Sequence, residues 1–168
     1  MGVFDKSKCD CCVCPMQCVM QQLINIPDTR VFTISAEQVG IITSVENFLA
    51  TINVGGIIRC FPICNVTAVG NNVLGTKTQL KPVRKDMKGE CSCCEDPATN
   101  ELATLVNKTV EINYLTRPGS PLSRLIGTVA KAGEGIVILT DVTNPFGAEV
   151  SNTAISTCQI NFIEIKPQ

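Results

Sequence analysis

A mainly β chain made of two copies of one small unit is the fold class this sequence predicts, and three observations predict it. The cluster Cys9-Asp10-Cys11-Cys12 returns as Cys91-Ser92-Cys93-Cys94. Each cluster is followed by one short stretch with apolar residues at helical spacing. Each of those stretches is followed by five short β-branched segments broken by Gly, Asn and Pro, which is how strands joined by tight turns read. A recurring block of this kind marks an internal repeat. The expected division is a tail at 1–8, a first Cys-headed repeat at 9–70, a linker at 71–90 and a second Cys-headed repeat at 91–168.

In the first copy, Met16, Val19, Met20 and Leu23 define a helix over 16–24, with Pro15 suited to its first turn. Asn25 and Pro27 end it. Strands are expected at 30–34, 39–45, 48–54, 57–62 and 64–69, punctuated by Gly40, Asn47 and Gly55-Gly56. In the second copy Pro97 opens a helix with Leu102, Leu105 and Val106 on one side, and Asn107 ends it as Asn25 ends the first. Strands follow at 109–115, 122–131, 135–142, 149–156 and 158–165. The loops at 116–121 and 143–148 are longer than their counterparts, and both carry Pro and Gly. Met20 and Leu23 align with Leu102 and Leu105. The segment Ile63-Cys64-Asn65-Val66-Thr67-Ala68-Val69 aligns with Thr157-Cys158-Gln159-Ile160-Asn161-Phe162-Ile163.

A short helix before five short antiparallel strands resembles the Sm-like or SH3-like small barrel. The residues that carry the resemblance are Leu102-x-x-Leu105, Val110-x-Ile112, Ile126-Gly127-x-Val129 and Ile160-x-x-Ile163. The resemblance implies a tandem pair of five-stranded barrels, each preceded by a short helix and a Cys-rich head. Closure into a barrel would also remove the unpaired edges of a lone sheet; an open sandwich is the alternative.

Composition narrows the function classes. Fourteen basic and fifteen acidic residues give a net charge of −1, so no basic footprint marks a nucleic-acid partner or an anionic membrane. The basic residues at 77–88 have no aromatic among them for base stacking and read as a solvated linker. No run approaches the roughly 20 apolar residues of a membrane-spanning helix. Residues 1–8 include Asp5, Lys6 and Lys8 and no apolar run of signal-peptide length, so synthesis in the cytoplasm is expected. Near-neutral charge and positive mean hydropathy favour self-association. Gly133-Glu134-Gly135 lies between two strands with no Lys-Ser/Thr or helix after it, and reads as a hairpin turn rather than a phosphate loop.

The eleven cysteines carry the chemistry, and three readings stand. The first is metal binding. Cys9, Cys11, Cys12, Cys14 and Cys18 supply enough thiolates for a tetrahedral zinc site. Against it, the Cys-x2-Cys spacings overlap, and the second copy lacks counterparts of Cys14 and Cys18. The second reading is disulfide bonding, with Cys9, Cys11, Cys12, Cys14, Cys64, Cys91, Cys93, Cys94 and Cys158 as candidates. Bringing the first and last strands of each copy together would place Cys64 near Cys11 or Cys12, and Cys158 near Cys93 or Cys94. A staple over about 50 to 60 residues contributes roughly 3 to 4 kcal/mol in the chain-entropy model, which matters for units that bury only about 60% of their unfolded surface. Surplus thiols, notably Cys9, Cys14 and Cys91, are then free to link neighbouring subunits, and an odd count leaves at least one outside any internal pairing. Cys18 and Cys60 fit small buried hydrophobes in the reduced state. The third reading, nucleophilic catalysis, is disfavoured: the chain has no histidine, hence no Cys-His pair, and no Cys-x-x-Cys in a thioredoxin-like setting. No catalytic residue is expected and the chain is not read as an enzyme.

The Cys-rich head at 9–18, followed by Gln21-Gln22-Leu23 and a strand-rich body, resembles the cysteine-rich coat and exosporium proteins of endospore-forming bacteria. The resemblance implies a structural protein made in the mother-cell cytoplasm that assembles by packing and is cross-linked by disulfides on the spore surface. Its partners would be itself, as a homo-polymer or ring, and other spore-layer proteins, with no cofactor, nucleic acid or membrane. The alternative is a zinc-thiolate or Sm-like RNA-binding module.

Overall fold

The structure, a computed structural model, describes residues 13–83 and 95–166. Helix α1 (Val13–Gln21) precedes strands β1 (Thr29–Thr33), β2 (Glu37–Glu46), β3 (Leu49–Val54), β4 (Ile57–Pro62) and β5 (Val66–Gly70). Helix α2 (Glu95–Thr104) precedes β6 (Thr109–Tyr114), β7 (Arg124–Gly133), β8 (Ile136–Thr143), β9 (Thr153–Ser156) and β10 (Ile160–Ile165). The fold is thus mainly β, with one short α-helix and five strands among the described residues of each half.

All ten strands join one sheet in the order β10-β6-β7-β8-β9-β5-β1-β2-β3-β4, every pair antiparallel. Within each half the order is the same: the last strand lies outside the first, and the fourth lies at the far side. Among the described residues no pairing joins the fourth strand to the last within a half, so the strand ladder confirms the mainly β class and not the closure of each half into a barrel. Among the described residues β4 pairs only with β3, while β5 pairs with β1 and with β9 of the other half.

The repeat recurs in one left-handed position and in one close backbone approach. Asn25 and Asn107 both take a left-handed backbone, with φ of 63° and 67°, a conformation asparagine tolerates well. Both donate a backbone N–H to the second strand of their half, to the carbonyls of Ile42 and Val129, each at 2.8 Å. Two residues earlier on those strands stand Gly40 and Gly127. A Cβ on Gly40 would lie 2.3 Å from the Asn53 carbonyl oxygen, and on Gly127 2.9 Å from that of Thr140. Only glycine lets the two backbones approach so closely.

Two apolar clusters form the core, and each draws on both halves. The first gathers Met16, Val19, Met20 and Leu23 of the first helical segment with Val31, Ile42, Ile52 and Val69, and also with Ile136, Ile138 and Ala154 of the second half. The second gathers Leu102, Leu105, Val110, Ile112, Leu125 and Val129 with Val137, Leu139 and Ile155, and with Phe32 and Ala68 of the first half. Alternation along β8 and β9 explains the sharing, because successive residues of a strand point to opposite faces. Phe32 meets Tyr114 edge to face, centroids 6.3 Å apart at 89°, a favoured aromatic geometry.

Several expected boundaries shift. Helix α1 ends at Gln21, and Ile24 instead bridges Ile42. Val106 lies past the end of α2 and is exposed. The strand expected at 149–156 is confined to β9, with Glu149 making an isolated bridge to Thr143. Cys64 and Cys158 do not open strands: they occupy 3-10 turns, Ile63–Asn65 and Thr157–Gln159, that lead into β5 and β10. The stretch expected as a solvated linker is docked over its described part. Leu74 and Thr78 are buried, and the Gln22 side chain clasps the Gln79 backbone, accepting at 2.8 Å and donating at 3.0 Å. Lys131 donates to the Thr78 carbonyl at 2.9 Å, and Glu134 N–H to that of Lys81 at 3.0 Å.

Candidate functional site

Three features could do chemistry or bind: the thiols, a buried carboxylate, and the edges of the sheet. Of the sequence-derived thiol sites, Cys9, Cys11, Cys12, Cys91, Cys93 and Cys94 lie outside the described residues, and Cys14 is described only through its place in α1. Cys18 is a half-buried free thiol. Cys60, expected inside, is an exposed free thiol on β4, which among the described residues has nothing paired on its outer side. Cys64 is also free and exposed, its Sγ directed at Asn65 Oδ1 3.9 Å away, so the staple expected in the first copy is not made. Its counterpart Cys158 is disulfide-bonded, and the partner is none of the three free thiols. Among the described residues no group of three or more His, Cys, Asp or Glu gathers as a metal site, and no helix is long and apolar enough to cross a membrane.

Glu111 on β6 is 3% exposed. Its carboxylate lies 2.8 Å from Lys166 Nζ and accepts from Arg124 Nε at 2.5 Å. The Lys166 hydrogen bond holds its pKa below the ordinary carboxylate value, against the opposing effect of burial and with further help from Arg124. The same bond, together with one to Glu164, raises Lys166. A buried carboxylate with both charges matched is a clamp: it fastens the end of β10 to β6 and β7.

The edges are the largest binding feature. Where β5 and β9 meet inside the chain, Ala68 faces Ile155, Val69 faces Ala154 and Gly70 faces Thr153, and every residue of both strands is buried. The pairing continues into the next residues, with Asn71 N–H donating to the Asn152 carbonyl at 2.7 Å. Among the described residues the outer strands have no such neighbour. On β4, Ile57 and Ile58 are 60% and 57% exposed; on β10, Phe162 and Ile165 are 44% and 55% exposed. Sequence alternation does not separate an edge strand from a central one, so these positions were not singled out from the sequence; the alignment of the last strands, carried back by one strand, would have shown that β4 corresponds to the buried β9.

No family model, curated protein or solved structure matches this chain.

Proposed function

We propose that this protein is a structural subunit that self-assembles into a bacterial spore surface layer or fibre, held by strand packing and by disulfides within and between chains, each half being a small barrel-like unit of the Sm-like kind. The observation that carries the reading is a continuous antiparallel sheet ending in two strands whose outer sides are unpaired among the described residues and rich in exposed apolar side chains. An unpaired edge with apolar side chains is a template for another chain; β4 pairs regularly with β3 and carries Pro62 only at its end, and the register shift of β10 lies at its start, between Ile160 and Phe162, leaving Phe162 to Ile165 in regular pairing with β6. The spore layer enters from the resemblance of the Cys-rich head at 9–18. Exposed thiols at Cys60 and Cys64 suit a product whose cysteines are oxidised after assembly. In the second copy, Cys93 and Cys94 are the proposed partners of Cys158, and the surplus head thiols are the proposed links between chains.

The test is electrophoresis of the purified protein with and without reductant. A ladder that collapses to monomer under reductant is expected. A monomer in both lanes carrying stoichiometric zinc by elemental analysis would overturn the reading in favour of a metal-thiolate module.

A further inference from the structure

We infer that β4 of one chain pairs antiparallel with β10 of the next, in the register that β9 and β5 already use within the chain, so that copies join head to tail. The inference rests on the self-assembling reading above and gives it an interface. Both copies have the same strand order, and the two outward edges are β4, the counterpart of β9, and β10, the counterpart of β5. The chain therefore already contains one example of the contact that its free edges lack.

The register follows from the 3-10 turns. Pro62 and Ser156 are the residues that precede them, so Phe61 corresponds to Ile155, Cys60 to Ala154 and Arg59 to Thr153. On the other side Phe162, Ile163 and Glu164 correspond to Ala68, Val69 and Gly70. Carrying the internal register across places Phe61 opposite Phe162, Cys60 opposite Ile163 and Arg59 opposite Glu164. The backbone bond from Asn71 to Asn152 carries over as Ile165 opposite Ile58.

The residues thus brought together suit one another. An aromatic pair and an isoleucine pair, all four now wholly or partly exposed, cover each other. Arg59, whose guanidinium is on the exposed edge beside Gln38, meets Glu164, whose carboxylate is 53% exposed. Alternation from the hydrogen-bonded pair at 71 and 152 puts Arg59 and Glu164 at a non-hydrogen-bonded position, where opposed side chains are closest. The corresponding internal pair, Gly70 and Thr153, is uncharged. The outer edges have therefore acquired complementary charges where the inner ones have none. Because the two surfaces differ, the contact is heterologous, and repetition yields a ring if the rotation closes and a filament if it does not.

A charge exchange tests this in the full chain, under reductant so that no disulfide contributes, with assembly read by sedimentation velocity and folding by circular dichroism. Arg59→Glu sets two glutamates against each other at every junction, and Glu164→Arg sets two arginines; each is expected to weaken association by roughly fivefold. Mixing the two variants one to one restores opposite charges at every junction between unlike chains and is expected to return association toward wild type. Cys60→Pro, which removes an outward N–H from an edge strand, should abolish association with the sheet intact. Wild-type association that none of these changes touches overturns the β4–β10 contact while leaving self-assembly standing. A wild-type chain that is monomeric with and without reductant overturns both.

Discussion

Tyr114 carries its phenol into the second core, where it is 1% exposed and meets Phe32 of the first half. Its hydroxyl is buried without a hydrogen-bond partner among the described residues, and burial pushes its pKa well above the ordinary tyrosine value. An unsatisfied buried hydroxyl costs about 1 to 3 kcal/mol, so Tyr114→Phe, which keeps the ring, is expected to stabilise the fold by about 1 kcal/mol in denaturant titration. The residues at this scale that sequence alone identified are those with a local cause: Asn25 and Asn107 end their helical segments because asparagine accepts the left-handed backbone both require. The exposure of Cys60 was not legible, because whether a thiol is covered depends on a neighbour strand absent from local sequence.

Each half places its last strand beside its first, and on the second half's outer side that strand is fastened by a buried charge. The depressed Glu111 pKa means that its contribution is present above its unfolded value of 4.5 and is lost as pH falls through its lower folded value. The raised Lys166 pKa means that its contribution holds below 10.5 and is lost as pH rises through its higher folded value. The fastening of β10 is therefore expected to be level between about pH 4.5 and 10.5 and to weaken outside that window. Lys166→Gln should lower the denaturation midpoint within the window, with the difference from wild type shrinking as the solution is acidified. Strand existence was well marked by β-branched runs, and nine of the ten expected segments keep most of their length; the segment at 149–156 shortens to Thr153–Ser156, with only a bridge at Glu149 and one bond from Val150 N–H to the Val142 carbonyl at 2.7 Å before it. The 3-10 turns at Cys64 and Cys158 were read as strand because their flanking residues alternate as strands do.

At the scale of the whole molecule, the two halves are joined by more than adjacency. Phe32 and Ala68 complete the second core, and Ile136, Ile138 and Ala154 complete the first. Residues 1–90 and 91–168 expressed separately are therefore expected to lack the dispersed amide spectrum of the intact chain, and co-expression is expected to recover it. The doubled cysteine cluster and the matching helix and strand order made the duplication legible. The β5–β9 contact was not, since pairing between strands some 85 residues apart has no local signature.

That contact has a consequence for how the protein responds to its own abundance. Because β5 and β9 belong to one chain, the residues between them hold the two strands at an effective concentration that dilution does not change. The outer edges enjoy no such tether, and whatever they bind is governed by mass action. A cell that varies the amount of this chain therefore varies what happens between chains, at β4 and β10 among other places, while the β5–β9 contact within each chain is unaffected by dose.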